Sequence, residues 1–165
     1  MADPISPGGP SRPPTRTRIR LAREVYAHPG EVFLITICTA KRRRLFDRPG
    51  PGRLVFNALL TGKLFTEAQC HATCLMPDHL HLLVSPRESN LIALINGWKS
   101  YTTNLLHSAG SKGPVWQRSF YDHALRSEES VNDAAQYVVE NPVRKGLVTD
   151  WIAYPYVWAY WVHGV

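Results

Sequence analysis

The stretch CHATCLM-PD-HLHLLVS, residues 70–85, constrains this chain more than any other. Two short runs, 70–76 and 79–85, stand either side of Pro77-Asp78, and a break that short pairs them as a β-hairpin. Side chains alternate between the faces of a strand, and residues two apart sit about 6.6 Å from one another on the same face. Leu80 and Leu82 therefore point into a core while His79 and His81 share the opposite face. Two imidazoles side by side on a rigid strand can clasp one divalent ion. They can equally be ordinary surface histidines, and the pair alone leaves both readings open.

The rest of the chain supplies partners for that hairpin. Residues 31–39 (EVFLITICT) are β-branched and aromatic and read as a buried strand. They run into Lys41-Arg42-Arg43-Arg44, which serves either as a solvated loop or as a phosphate contact. After Pro49-Gly50-Pro51-Gly52, residues 53–66 carry a helical period, with Gly62 signalling an early end. Ser89 or Asn90 can cap a helix over 91–108. Residues 116–126 (WQRSFYDHALR) alternate as a strand. Ser127 to Ser130 open a last helix over 129–140, ended by Asn141-Pro142 because a residue before proline is pushed out of the helical region. The aromatic stretch WIAYPYVWAYW packs against the body. There is no internal repeat. The order is that of an α+β, ferredoxin-like antiparallel sheet, β-α-β-β-α-β, with helices on one face and an extra C-terminal helix.

With 165 residues there is room for a single core. Residues 1–23 read as a flexible basic tail, Pro- and Gly-rich at first and then carrying Arg12, Arg16, Arg18, Arg20 and Arg23. Residues 24–165 read as one domain. A formal net charge of +6 and a pI near 9.5 favour a polyanion, with nucleic acid ahead of a membrane surface. No apolar run is long enough for a membrane span, and the N-terminus lacks a signal-peptide core. Cys38, Cys70 and Cys74 make no zinc-type pair, and Cys70 and Cys74 read as small core residues. A reduced, cytoplasmic setting is expected.

Tyr137 lies near the end of the last predicted helix, and Asn141, four residues on, shares its face. An asparagine carbonyl suits a hard divalent cation. His79, His81 and Asn141 would then be three ligands, with positions left for a substrate phosphate. Val138 and Val139 are better placed for packing. Taken alone, Tyr137 reads rather as a half-buried residue of an amphipathic helix.

The blocks MPDHLHLLV (76–84), WQRSFYDHALR (116–126) and QYVVENPVRKGLV (136–148), in that order, resemble the single-tyrosine (Y1) HUH transposases, IS200-like, in the branch associated with repetitive extragenic palindromes (REP). The resemblance implies the same ferredoxin-like fold. It implies a metal-dependent single-stranded DNA endonuclease and strand-transferase, with His79 and His81 on Mg²⁺ or Mn²⁺ and Asn141 completing the shell. Tyr137 would be the nucleophile that forms a 5′-phosphotyrosine and leaves a free 3′-OH. A phenol with an ordinary pKa of about 10 needs local help to attack at neutral pH. The resemblance further implies single-stranded or hairpin DNA as partner, a nucleoid setting, no small-molecule cofactor, and either a monomer or a homodimer. Asp78 and Lys145 depart from common family residues and are read as standing outside the chemistry.

Phosphates would meet Arg16, Arg18, Arg20, Lys41, Arg42, Arg43, Arg44, Arg118, Arg126 and Arg144. Trp98, Tyr101, Trp116, Phe120 and Tyr121 could stack on unpaired bases, but core packing suits each better. Histidine-triad hydrolases would need a histidine where Leu83 stands. A two-histidine phosphoesterase would need a partner for His71-Ala72-Thr73. Tyr101 and Tyr121 are rival nucleophiles, although the neighbours of Tyr121 in a strand would face away from it. A reading from another class is a catalytically silent DNA- or RNA-hairpin-binding regulator on the same scaffold, which has no need of His79, His81 and Tyr137.

Overall fold

Phe33, Ile35 and Ile37 are fully buried along one side of β1 (Phe33–Cys38), the inner strand that the β-branched run predicts. The computed structural model describes residues 24–127 and 129–164. The expected basic tail of residues 1–23, with Arg16, Arg18 and Arg20, lies outside the described residues. The predicted hairpin forms as β2 (Ala68–Met76) and β3 (His79–Pro86), with Met76 opposite His79 and Leu75 opposite Leu80. β3 also pairs with β1, setting Thr36 opposite His81 and Cys38 opposite His79. With β4 (Tyr121–Ala124) on β1, the order β4-β1-β3-β2 is the ferredoxin-like one, and every pairing is antiparallel.

On one face, Phe33, Ile35, Ile37, Leu80, Leu82 and Val84 pack under α1 (Pro49–Leu60), the single turn α2 (Lys63–Thr66) and α3 (Leu91–Ser108). Their helical partners include Val55, Leu59, Leu91, Ile95 and Trp98. The other face carries Ala72, Cys74, Met76 and Leu83, covered by Ala135, Val138 and Val139 of α4 (Val131–Val139). The tyrosine-bearing helix thus lies across the sheet from the other three, on the face of His79 and His81.

Four local expectations change. The Pro49–Gly52 stretch is the first turn of α1, because proline there lacks only an N–H that would go unpaired anyway. The strand expected over 116–126 shrinks to β4. Lys99, on α3, donates to the Gln117 and Arg118 carbonyls at 2.8 and 3.0 Å, which draws that segment toward the helix and leaves Trp116 a single bridge to Thr39. Asn141-Pro142 does not simply end a helix: α4 stops at Val139, and Asn141 starts a short turn, α5 (Asn141–Arg144). The C-terminal aromatic stretch contributes a fifth strand, β5 (Val157–Ala159), on the outer edge of β2, followed by the turn α6 (Tyr160–His163). Among the described residues, no helix is long and apolar enough to cross a membrane.

Candidate functional site

The site begins at the turn between β2 and β3. Because β3 starts at His79, the strand's alternation carries His79 and His81 out on the α4 face while Leu80 and Leu82 stay in the core. The two rings meet edge to face, with centroids 4.6 Å apart and planes at 90°. Their Nε2 atoms are 3.0 Å apart.

Each outer nitrogen has a holder. His79 Nδ1 lies 2.6 Å from the Asp78 carboxylate, and His81 Nδ1 lies 3.0 Å from the Thr36 hydroxyl across the β1–β3 pairing. Asp78 is itself fixed by Arg42 at 2.9 Å. Asp78, which the sequence reading sets outside the chemistry, thus contacts one of the two histidines directly. Arg42 reaches it from a turn in which Lys41 and Arg42 both adopt positive φ, 56° and 55°. That conformation costs non-glycine residues about 1–3 kcal/mol each. The Asp78 ion pair and an Arg42 contact to the Cys38 sulfur at 2.8 Å help to hold it.

Burial lowers the pKa of His79, outweighing the opposing pull of Asp78. His81 is pushed down to about 3, first by burial and then by the charges of His79, Arg144 and Arg42. Both rings are therefore neutral near pH 7, which is the ligand form. Without a metal, hydrogen bonds can run from Thr36 through His81 to His79 and Asp78, with His81 donating from Nε2. A ligating His81 carries its proton on Nδ1 instead, and the Thr36 hydroxyl can then turn to accept it.

The pair fits a divalent ion. Two ligands at right angles and about 2.1 Å from an ion are about 3.0 Å apart, which matches the Nε2 separation. Among the described residues, no third histidine, cysteine or carboxylate completes a cluster. Asn141, only 5% exposed, spends its amide nitrogen on the carbonyls of Tyr137 and Val138, which leaves its oxygen as the end able to ligate. Among the described residues, no hydrogen bond joins Asn141 or Tyr137 to the histidines.

Tyr137 lies on α4, which Ser130 caps by accepting from the Asp133 amide. Ala135, Val138 and Val139 face the sheet, and Tyr137 stays 49% exposed. Its ring lies under Arg144, whose Cζ is 4.0 Å from the ring centroid. The ring also borders a 380 Å³ hollow lined in part by Leu34, Leu125, Glu129 and Asp133.

Of the predicted phosphate contacts, Arg42, Arg43 and Arg44 have partners of their own: Asp78, the Pro114 carbonyl and Asp47. Lys41, Arg118 and Arg126 are exposed. Trp98 and Trp116 are core residues, Phe120 packs against the core, and Tyr101 and Tyr121 are exposed.

An antiparallel ferredoxin-like sheet with paired histidines on an inner strand, and a tyrosine helix over the same face, defines a class of α+β domain. The sequence profile described as "Transposase IS200 like" matches residues 33–141, and the chain belongs to that family. It is 24% identical over 102 residues to a REP-associated tyrosine transposase of Escherichia coli K12, covering 60% of this chain and 61% of that protein. It is 30% identical over 95 residues to a Haemophilus influenzae protein carrying the same designation, covering 48% of this chain and 54% of the relative. The chain thus spans between half and two-thirds of the length of these curated relatives. A solved REP-associated tyrosine transposase bound to a REP hairpin has the same fold. Its TM-score is 0.63 at 21% identity, over 86% of this chain and 82% of that one.

Proposed function

We propose that this chain is a divalent-metal-dependent single-stranded DNA endonuclease and strand-transferase, acting beside DNA hairpins with Tyr137 as nucleophile. The observation that carries this reading is the convergence of two neutral imidazoles, Nε2 to Nε2 at 3.0 Å, on the sheet face that the Tyr137 helix covers. A hairpin-binding protein needs no such pair. The family and the hairpin-bound structural neighbour support the choice of substrate.

His79, His81 and the Asn141 oxygen would hold the ion. Two nitrogens and an oxygen suit Mn²⁺ better than Mg²⁺, which prefers oxygen alone. When bound, the ion supplies Lewis-acid polarisation of a non-bridging phosphate oxygen. Asp78 and Thr36 keep the imidazoles aimed. Tyr137 Oη forms a bond to phosphorus as the bond to the 3′-oxygen breaks. The phenol proton passes to a water, and the 3′-oxygen leaves as a hydroxyl. The phosphotyrosine ester keeps the bond energy, so another 3′-OH can reverse the step and join a new strand.

Covalent trapping tests this reading. Wild type and Tyr137→Phe are incubated with Mn²⁺ and 3′-labelled hairpin-bearing single-stranded DNA, then separated on a denaturing gel. A metal-dependent labelled protein band that disappears in Tyr137→Phe is expected. A band that persists in the mutant moves the nucleophile to Tyr121 or Tyr101. No band with tight hairpin binding retained identifies a silent regulator.

A further inference from the structure

Arg144 follows Tyr137 by two helical turns, and from α5 its side chain reaches back over the tyrosine. Three contacts fix it there. Its Cζ stands 4.0 Å from the centroid of the Tyr137 ring, and its Nη2 donates to the Tyr137 carbonyl at 2.6 Å. Its Nη1 lies 3.7 Å from Glu140. The Tyr137 carbonyl also accepts from Asn141. The Tyr137 hydroxyl makes no hydrogen bond among the described residues, so no polar contact at the ring's far end orients it.

We propose that Arg144 is the positioning residue of Tyr137, its guanidinium clamping the ring so that the phenol meets the phosphodiester along one line. This rests on Tyr137 being the nucleophile. A cation over an aromatic face is attracted to it, and only a planar guanidinium gives both that contact and the fork of hydrogen bonds. A lysine would keep the charge toward DNA and lose the clamp. A simple phosphate contact, the sequence expectation for this residue, would be served nearly as well by lysine.

The test compares wild type, Arg144→Lys and Arg144→Ala. With Mn²⁺ and hairpin-bearing single-stranded DNA at saturation, Arg144→Lys is expected to bind with nearly wild-type affinity and salt dependence. It should form the covalent adduct about tenfold to a hundredfold more slowly, the scale of a misplaced reacting group. Arg144→Ala should lose affinity as well as rate. Independently of activity, proteins labelled at the tyrosine rings are compared by NMR without DNA or metal, with the Tyr137 signal assigned by its loss in Tyr137→Phe. That signal should move in both Arg144 variants while the other ring signals stay put. Adduct formation by Arg144→Lys at the wild-type rate, or an unmoved Tyr137 signal in Arg144→Ala, overturns the clamp. If wild type forms no adduct at all, the nucleophile reading fails, and the ring signal alone decides whether the clamp exists.

Discussion

Asp78 and Thr36 determine which nitrogen each histidine has left to offer. With its Nδ1 proton given to Asp78, His79 presents a lone pair on Nε2, and Thr36 allows His81 to do the same. Asp78→Ala or Thr36→Val should each weaken Mn²⁺ binding about tenfold to a hundredfold, as losses of such outer partners do. Titration calorimetry on the metal-free protein measures it, and affinities equal to wild type would remove these residues from the site. Replacing both His79 and His81 by alanine should abolish metal-dependent cleavage while hairpin binding survives, read by gel shift and cleavage on one substrate. Cleavage unchanged in the double variant would sink the metal assignment. Neither Thr36 nor Asp78 stood out in the sequence. The role of Thr36 depends on the pairing of Thr36 with His81 across two strands, which no spacing within one segment reveals. Asp78 read as a turn residue, and its carboxylate comes into use only through the geometry of its neighbour.

At the scale of elements, legibility followed how local the determining forces were. The hairpin, β1 and the Asn90-capped α3 came out close to their predicted bounds, because period and turn chemistry act within a few residues. The segment 116–126 was misread because a lysine on another element captures its carbonyls. β5 was missed because three residues beyond Pro155 make no pattern of their own, and they become a strand only against β2. Two positions test the local rules. Ser130→Ala removes the cap of α4 and should cost about 1 kcal/mol, read as a lower denaturation midpoint. At Gly62, where the chain leaves α1 for α2, a Cβ would stand 2.5 Å from the Ala58 carbonyl oxygen. Gly62→Ala should therefore cost about 1–3 kcal/mol, and an unchanged midpoint would show that the turn can shift at little cost.

For the molecule as a whole, the histidines link stability to pH. His79 and His81 titrate below the ordinary imidazole value of 6.5 when folded, His81 near 3. Between these values the unfolded chain binds protons that the folded one refuses, so their contribution is full above about pH 6.5 and falls as the pH drops toward 3. In metal-free buffer the melting temperature should decline from pH 7.5 to pH 5, and less steeply in the His79→Asn, His81→Asn double variant. Parallel declines would mean that other groups set the slope. Charge acts at the same scale. Deleting residues 1–23 removes five arginines, which should weaken DNA binding and flatten its salt dependence. An unaltered salt slope would take that segment out of the interface.

β5 has a consequence for how the chain is made. It covers the outer edge of β2, with Ala72 paired to Ala159, and the same segment ties Tyr154 to the Leu75 carbonyl and Tyr156 to that of Pro49. A ribosome delivers β2 long before β5, so for most of synthesis β2 shows an open hydrogen-bonding edge to any other strand nearby. Nascent chains of this protein are thus exposed to mispairing on crowded polysomes until β5 emerges, and stalled or prematurely terminated translation products should collect in the insoluble fraction.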